Sequence, residues 1–469
     1  MHGLVVSDGP ALVPRRGRGT ELALLVFAVA IATAAYVAVD LGALGRVPPN
    51  AMAYLAGLSL LAGVAHVVVR RFAPYADPVL LPLVVTLNGL GLAMIHRLDL
   101  ADAEDARQAG EAVPQAAAPA QLTWMVVGVT LFVVVLILVR DYRILSRYAY
   151  TAGLLGIVLL LLPMVPGLGY VLRGARIWIR IGPMNFQPGE AAKIVLIVAF
   201  AAYLVRTKDV LALAGRRVLG VDLPRARDLG PILVVWVTAL GILAFQRDLG
   251  PSLLLFGIFV LMIYVATERI SWIVVGLALF VLGGFAANAV FSHVQARIEG
   301  WLDPFADTDR FGQIVQSLYG LAYGGELGTG LGRGRPDLVP FSESDFIAAA
   351  FGEELGLTGL MAIIVLYALL ASRGLRAALV LRDPFGKLLA TGLAAGLLLQ
   401  VFIVVGGVTK LIPLTGLTTP FLSLGGSSLV MNWVLVALLM RLSDAARRPA
   451  PPPRPVVVDD AATQVVKLQ

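Results

Sequence analysis

The fold is decided by stretches such as residues 123–140, TWMVVGVTLFVVVLILVR, in which no charged side chain precedes Arg140. A membrane-spanning helix needs about 20 mostly apolar residues, and this stretch approaches that length. Of the 469 residues, 58% are hydrophobic and 14% are charged. A soluble domain carries roughly a quarter charged residues, so lipid must be the solvent for much of this chain. The sequence therefore predicts an all-α polytopic membrane protein.

About twelve apolar stretches are long enough to be predicted as membrane spans. The weakest is 230–245, because only the polar residues 246–248 separate it from the next stretch. A polar N-terminal arm at 1–20 precedes the spans, and a flexible, Pro-rich tail at 444–469 follows them. The predicted spans are 21–40, 52–69, 79–95, 123–140, 147–166, 188–205, 230–245, 249–267, 271–292, 347–371, 387–408 and 427–442.

The distribution of Lys and Arg predicts that both termini face the cytoplasm. Most of the 37 basic residues fall in segments that lie inside if the N-terminus does, and cytoplasmic loops collect such residues. This preference accounts for the net charge of +7 without any role in nucleic-acid binding. The chain has no Cys, and its four His are scattered. Disulfides and thiolate catalysis are therefore excluded, and no metal-ligand spacing is present.

The longest predicted outer connection, residues 293–346, is rich in aromatic side chains, so we expect it to be folded. It holds three carboxylates within seven residues, at Asp303, Asp307 and Asp309. A carboxylate beside apolar surface acquires the raised pKa that suits a general base. The alternative is a solvated acidic loop with carboxylates that cap turns. A Gly-rich stretch at 328–334 lacks the nucleotide-binding spacing and is interpreted as a flexible outer turn.

A second outer segment, residues 174–193, combines cationic and aromatic side chains. Glu190 and Lys193 share one helix face near the outer end of a span, where ionisable groups are costly unless paired or functional. They form either a structural ion pair or part of a site. The two arginines with the tryptophan either anchor the chain at the interface or hold a lipid phosphate. The candidate binding residues here are Arg176, Trp178, Arg180, Gln187, Glu190 and Lys193.

Three more polar clusters fall on the predicted outer face. Residues 246–248 either cap two helices or line a site. Carboxylates at the start of the span 347–371 and inside it need a partner or a function at bilayer depth. Residues 413–428 are broken by Gly and Pro, which at membrane depth requires burial in protein or a cavity lining. The candidate binding residues are Gln246, Asp248, Asp345, Glu353, Thr415 and Ser427.

The predicted topology places all five clusters on one side of the membrane. Carboxylates and guanidinium groups would then meet at the outer leaflet. Such a site fits a substrate that has both a lipid portion and a charged polar head.

At these residues the chain resembles the SEDS family (shape, elongation, division and sporulation), which includes RodA, FtsW and SpoVE. The matching segments occur in the family's order and spacing. The resemblance implies a ten-helix core at 79–443 preceded by an extra helix pair at 21–78. That pair, with LDPFAD at 302–307 and GGVTKLIPLTG at 406–416, resembles RodA-type members from actinobacteria. The matching segments are 174–193, 246–250, 301–317, 345–356 and 413–428.

The resemblance implies a peptidoglycan glycosyltransferase of the bacterial plasma membrane that works with a class B penicillin-binding protein. Its substrates would be lipid II and a glycan chain on polyprenyl pyrophosphate. The family's essential loop aspartate matches Asp307, the implied catalytic base. Thr308 stands where the family usually has Pro, and the following stretch is one residue shorter, which keeps Asp309 as the alternative base. No cofactor is firmly implied, and a divalent cation, Mg²⁺ or Mn²⁺, stays open.

Two other functions are compatible with the same residues. A lipid II flippase would also use broken helices and intramembrane carboxylates. A non-catalytic scaffold for a penicillin-binding protein would keep the fold without the chemistry. Neither the elongation, division or sporulation role nor the identity of the partner follows from the sequence.

Overall fold

A computed structural model describes residues 18–172, 175–182, 184–212, 216–218, 221–223 and 226–449. Residues 1–17 of the predicted arm and 450–469 of the predicted tail lie outside the described residues. Helices dominate the rest. Their bounds are α1 Arg18–Leu44, α2 Ala51–Phe72, α3 Leu80–Ala109, α4 Ala118–Leu138, α5 Ala149–Leu161, α6 Pro188–Ala212, α7 Ala226–Phe245, α8 Leu249–Thr267, α9 Ser271–Val290, α10 Ser292–Leu302, α11 Gly312–Gly324, α12 Ile347–Val380, α13 Pro384–Val408 and α14 Gly426–Arg447.

The membrane fold predicted from the apolar stretches is confirmed. Within the described ranges, eleven helical segments are long and apolar enough to cross a membrane. The predicted span at 230–245 is a shorter apolar helix inside α7. The predicted connection 293–346 is folded and contains α10, α11 and a 3-10 turn at Pro336–Leu338.

Short strands interrupt the helices at two connections. The first sheet is antiparallel in the order β1 (Gly169–Leu172), β2 (Ala175–Ile181), β3 (Met184–Phe186). The second is a hairpin of β4 (Arg216–Val218) and β5 (Val221–Leu223). Only helices were predicted from the sequence, so neither sheet was expected. Within β2, residues 176–181 (RIWIRI) have Ile at every second position, which is the period of a strand.

The interior of the bundle is built from α3, α6, α13 and α14, which are mostly buried, whereas α9 is almost wholly exposed. Small residues let these helices approach closely. A Cβ on Gly128 would lie 2.7 Å from Cδ1 of Trp433. The Trp433 ring packs edge-on against Phe132, and its Nε1 donates to Asn88 Oδ1 at 3.1 Å.

In the extra N-terminal pair, polar contacts near the two ends of α1 join it to α2 and to α3. Near the start of α1, the fully buried Glu21 forms an ion pair with Arg70 and lies 2.7 Å from His66 Nδ1. Near its end, Asp40 Oδ1 lies 2.7 Å from Nε2 of His96 on α3. The first contact holds the pair together, and the second joins it to α3.

A break inside α12 shapes the predicted outer face. Gly356 adopts φ +70° and ψ −174°, which interrupts the helix. The stretch that follows α11 forms hydrogen bonds with backbone carbonyls beside this break, with Thr329 N donating to Glu353 O at 3.0 Å and Gly330 N to Glu354 O at 2.9 Å. The interpretation of residues 328–334 as a flexible turn is therefore wrong, because backbone hydrogen bonds pin it to α12.

Candidate active site

The first turn of α6 carries a buried ion pair. Pro188 opens this helix, where its fixed φ and missing N–H are tolerated. Lys193 Nζ donates to Glu190 Oε2 at 2.9 Å and to Gln400 Oε1, on α13, at 2.8 Å. Glu190 is buried. Two acceptors from different helices thus fix the position of the ammonium group.

Asp248 is positioned by the turn between α7 and α8. Arg247 has φ +62°, in the left-handed region. Asp248 N donates to Leu243 O at 2.9 Å and Arg247 N to Ala244 O at 3.1 Å, the pair of bonds that defines a Schellman motif. The Asp248 side chain makes no cap hydrogen bond with α8. Its carboxylate is therefore available to the site.

Asp248 is buried, and its pKa is raised to about 7, mainly by burial and further by the negative charge of Glu190. Asp345 acts in the same direction. The positive charge of Arg297 and a 3.4 Å hydrogen bond from Gln187 Nε2 oppose the rise. A group with this pKa is close to half-protonated at neutral pH and suits proton transfer.

Arg297, on α10, brings a partly buried cation to the same place. Its Nη1 donates to Leu414 O at 2.8 Å. Burial lowers its pKa, while the carboxylates of Asp248 and Asp345 raise it. Gly416 has φ +76°, and a Cβ there would lie 3.6 Å from Arg297 Nη2 and 3.8 Å from Asp345 Oδ2. Gly416 therefore keeps the backbone close to both charged groups.

The broken segment 413–428 closes the site from the side of α14. Ser427 is buried, and its Oγ accepts a hydrogen bond from Gln187 N at 2.9 Å. Thr415 is buried, and its carbonyl would lie 3.0 Å from a Cβ on Gly250. This segment is thus enclosed by protein, as its Gly and Pro content requires at membrane depth.

These contacts bring together what we call the buried charge cluster, which consists of the buried Glu190 and Asp248 and the partly buried Lys193, Arg297 and Asp345. Three carboxylates meet two cations. With the other four groups in their usual charge states, the cluster is neutral when Asp248 is protonated and carries one negative charge when it is not. Because the pKa of Asp248 is about 7, the net charge changes near neutral pH.

The space beside this cluster is narrow. A cavity of about 20 Å³ lies next to Glu190 and Lys193, and its other walls are mostly apolar, including Leu196, Leu254 and Leu417. Such a volume holds about one water molecule. A larger ligand would have to displace these leucines to enter it.

The cationic residues predicted on the outer segment stand apart, on strand β2. Arg176 Nη2 donates to Gly169 O at 3.4 Å, and the Arg180 guanidinium lies 5.3 Å from the centre of the Tyr170 ring. Trp178 pairs with Tyr170 across the sheet. Among the contacts of the described residues, none joins these three to the buried charge cluster.

Gln246 also serves another purpose. It is buried, and its Nε2 donates to Leu160 O at 2.6 Å. It therefore ties α7 to α5, whereas its neighbour Asp248 faces the cluster. Gln246 and Asp248 were predicted to belong to one cluster, but the turn directs their side chains to different surroundings.

Glu353 belongs to a second buried network. Its Oε1 accepts from Arg335 N at 2.6 Å. The adjacent Glu354 accepts from Arg97 Nε at 2.8 Å and from Gly332 N at 2.9 Å. This network fixes the stretch after α11 to α3 and α12, so the partners of both carboxylates are structural groups.

Asp307 lies on an exposed turn between α10 and α11. Its Oδ1 accepts from Arg310 N at 3.0 Å, and its carbonyl accepts from Phe311 N at 3.0 Å. Arg310 in turn pairs with Glu299 at 2.7 Å, which holds the turn against α10. The Asp307 side chain is therefore exposed to solvent, ten positions after the partly buried Arg297 on the same connection.

The other two loop carboxylates are also exposed. Asp303 Oδ1 accepts from Phe305 N at 3.2 Å, so it caps the turn as the alternative interpretation expected. Among the described residues, none contacts the Asp309 side chain in a way that would position it, and Asp309 remains the comparison residue for Asp307.

The described residues contain no group of three or more His, Asp or Glu side chains close enough to hold a metal ion. Mg²⁺ in enzymes is often held by one or two carboxylates together with substrate phosphates. The described part of the chain therefore offers no metal cage of its own.

Two residues of the site, Arg297 and Gln400, were not predicted from the sequence. Arg297 falls within the predicted outer connection 293–346, and it lies on α10, a helix that was not predicted. Gln400 interrupts the apolar stretch 387–408, and a lone polar residue at bilayer depth is itself a signal of a partner or a function.

Comparison with known proteins identifies the class. Residues 78–448 match the FtsW/RodA/SpoVE family of cell cycle proteins. The chain is 50% identical over 446 residues to the peptidoglycan glycosyltransferase RodA of Mycobacterium bovis, covering 95% of this chain and 94% of that protein. It is 48% identical over 451 residues to RodA of Mycobacterium leprae, with the same shares covered.

Two solved structures share the fold. One, described as "Structural coordination of polymerization and crosslinking by a peptidoglycan synthase complex", matches with a TM-score of 0.63 and 26% identity, covering 79% of this chain and 98% of that one. RodA of Thermus thermophilus matches with a TM-score of 0.53 and 24% identity, covering 78% and 96%.

The chain therefore belongs to the FtsW/RodA/SpoVE family, and it is a multi-pass bacterial membrane protein of the RodA type. The resemblance found in the sequence is confirmed.

Proposed function

We propose that this protein is a peptidoglycan glycosyltransferase that polymerises lipid II into glycan strands. The observation that carries the proposal is the buried charge cluster, which places two cations among three carboxylates at the same end of the bundle as the exposed Asp307. Its mycobacterial relatives, half identical along nearly the whole chain, are named for this activity.

In the reaction, the 4-hydroxyl of one lipid II attacks the anomeric carbon of the growing glycan. The bond from that carbon to the pyrophosphate oxygen breaks, and the electron pair leaves with the pyrophosphate. Asp307 accepts the hydroxyl proton, a contribution that is worth roughly 10²–10⁴ in rate for a positioned base. Attack opposite the leaving group converts the α-linked donor into a β-linkage.

The departing pyrophosphate gains negative charge, which preorganised cations stabilise. Lys193 and Arg297 are held for this role by Glu190, Asp248 and Asp345. Protonation of Asp248 removes one competing negative charge and makes the cluster more attractive to the anion. Arg176 and Arg180 lie on the outer sheet, where they suit the first contact with the phosphates rather than the reacting bond.

The solved chain with a TM-score of 0.63 comes from a peptidoglycan synthase complex that couples polymerisation to crosslinking. This supports a class B penicillin-binding protein as the partner of the present chain. A direct test is lipid II polymerisation by the purified protein with and without the co-purified partner.

The role of Asp307 is tested with Asp307→Ala, for which we expect polymer formation to fall by about 10²-fold or more. Asp309→Ala is the matched control, because it removes an equally exposed carboxylate from the same turn. Normal polymer from a folded Asp307→Ala variant would contradict the assignment, and a selective loss in Asp309→Ala would move the base to that residue.

A flippase is the alternative that also fits an intramembrane charge cluster. Flipping requires a bilayer with two leaflets, whereas chain growth does not. Polymer formed in detergent therefore supports the transferase, and lipid II movement in vesicles without any polymer would support the flippase.

A further inference from the structure

A second charged cavity lies at the opposite end of the bundle. The buried charge cluster and its surroundings lie near the starts of α12 and α14, whereas this cavity lies near their ends and beside the start of α3. Its volume is about 280 Å³. The Lys/Arg distribution predicts that this end faces the cytoplasm.

Three guanidinium groups face a single carboxylate in this cavity. Arg373 Nη1 and Arg447 Nη1 each lie 3.6 Å from the same oxygen, Oδ2 of Asp77. The other oxygen, Oδ1, accepts from Val79 N at 3.0 Å. Arg376 lines the cavity and has no carboxylate partner among the described residues. The cavity therefore carries an excess of two positive charges.

The carboxylate of Asp77 does not satisfy the hydrogen-bond donors of these arginines. A charge-assisted hydrogen bond measures about 2.7–2.9 Å, and both Arg–Asp77 distances are longer. Arg373 Nε is buried and has no hydrogen-bond partner. Arg373 lies two helical turns before the end of α12, whereas the helix dipole acts within the last turn, so the dipole does not account for its position. An anion with several acceptor oxygens would supply the hydrogen-bond acceptors that these guanidinium groups lack.

The walls of the cavity indicate where such an anion comes from. Between the arginines the lining is apolar, with Val79, Ala377 and Val380 among it. Leu379 and Val380 continue this apolar surface outward and are strongly exposed. The volume is just below the roughly 300–1,000 Å³ of sites that enclose a whole small molecule. A charged head group fits inside, while its chains follow the exposed end of α12.

We infer that this cavity binds the phosphate of an anionic phospholipid from the leaflet at the predicted cytoplasmic end. Basic pockets between spanning helices on that side bind anionic head groups in general. The lipid phosphate would bridge Arg373, Arg376 and Arg447, and so link α12 to α14. This inference stands apart from the glycosyltransferase reaction, which is assigned to the other end of the bundle.

The test uses the full-length protein in detergent and compares phosphatidylglycerol with phosphatidylcholine of the same chains. We expect native mass spectrometry to show retained phosphatidylglycerol, and Arg376→Gln to raise its Kd about fivefold. Arg376 is exposed and unpaired, so this variant is expected to fold. Arg382→Gln is the control, because Arg382 is exposed near the same end but does not line the cavity.

Asp77→Asn should strengthen lipid binding, which a purely structural role of Asp77 would not predict. Asparagine keeps an acceptor for Val79 N–H but removes the competing charge, so phosphatidylglycerol should bind about fivefold more tightly. Equal binding of both lipids, or equal losses in Arg376→Gln and Arg382→Gln, would overturn the inference. Glycerol phosphate that competes as strongly as the lipid would assign the cavity to a soluble phosphate compound instead.

Discussion

Replacement of Asp248 by Asn tests the electrostatics of the buried charge cluster directly. The pKa of Asp248 rises from 3.8 to about 7 in the folded protein. At about 1.36 kcal/mol per pH unit, this means that ionisation of the buried carboxyl is resisted by about 4 kcal/mol. Asparagine is nearly isosteric and cannot ionise, so the variant should not show this cost.

The sign of the pH dependence follows from proton binding. Between about pH 4 and pH 7, the folded protein keeps a proton on Asp248 that the unfolded chain has lost. The free energy of unfolding of the wild type should therefore fall by about 1.4 kcal/mol per pH unit over this range, relative to Asp248→Asn, and then level off. The stabilising protonated form is thus fully present at low pH and lost as the pH rises through 7.

The assay is chemical and thermal unfolding in detergent from pH 5 to pH 8.5 for both proteins. Glu190→Gln removes a neighbouring negative charge that raises the pKa of Asp248. In this variant, the pH at which the stability levels off should therefore be lower than in the wild type. Asp303→Asn, on the exposed turn, is the control and should leave the pH profile unchanged. A stability difference between wild type and Asp248→Asn that does not vary with pH would refute the reasoning.

Two further substitutions test the packing that supports the site. Glu354→Gln leaves the buried Arg97 without its closest charge partner, so we expect a loss of about 3 kcal/mol in the free energy of unfolding. Gly128→Ala places a Cβ 2.7 Å from the Trp433 ring, and the overpacking should cost about 1–3 kcal/mol. Gly57→Ala, where a Cβ meets nothing within 4 Å, should be neutral or stabilising, and equal melting temperatures for the two glycine variants would contradict this account.

The predicted spans correspond to helices in the structure. A membrane span depends on the composition of about 20 consecutive residues, and this composition can be read directly from a single sequence. The bounds of the connections did not follow in the same way. The stretch at 293–346 was predicted to be folded, but α10 and α11 take their form from contacts such as Trp301 Nε1 to Lys410 O at 3.1 Å. Local sequence does not reveal that partner, which lies more than a hundred positions away.

The sequence by itself determined that lipid surrounds much of this protein. It also determined the helical class, the family and the residue types of the candidate site. Only the tertiary structure decided which of those residues meet. It brought Glu190, Lys193, Asp248 and Asp345 together with Arg297, and it placed Glu353 in a separate network. The physical reason is that charge at bilayer depth is stable only beside a partner, and partners here come from helices that are distant in sequence.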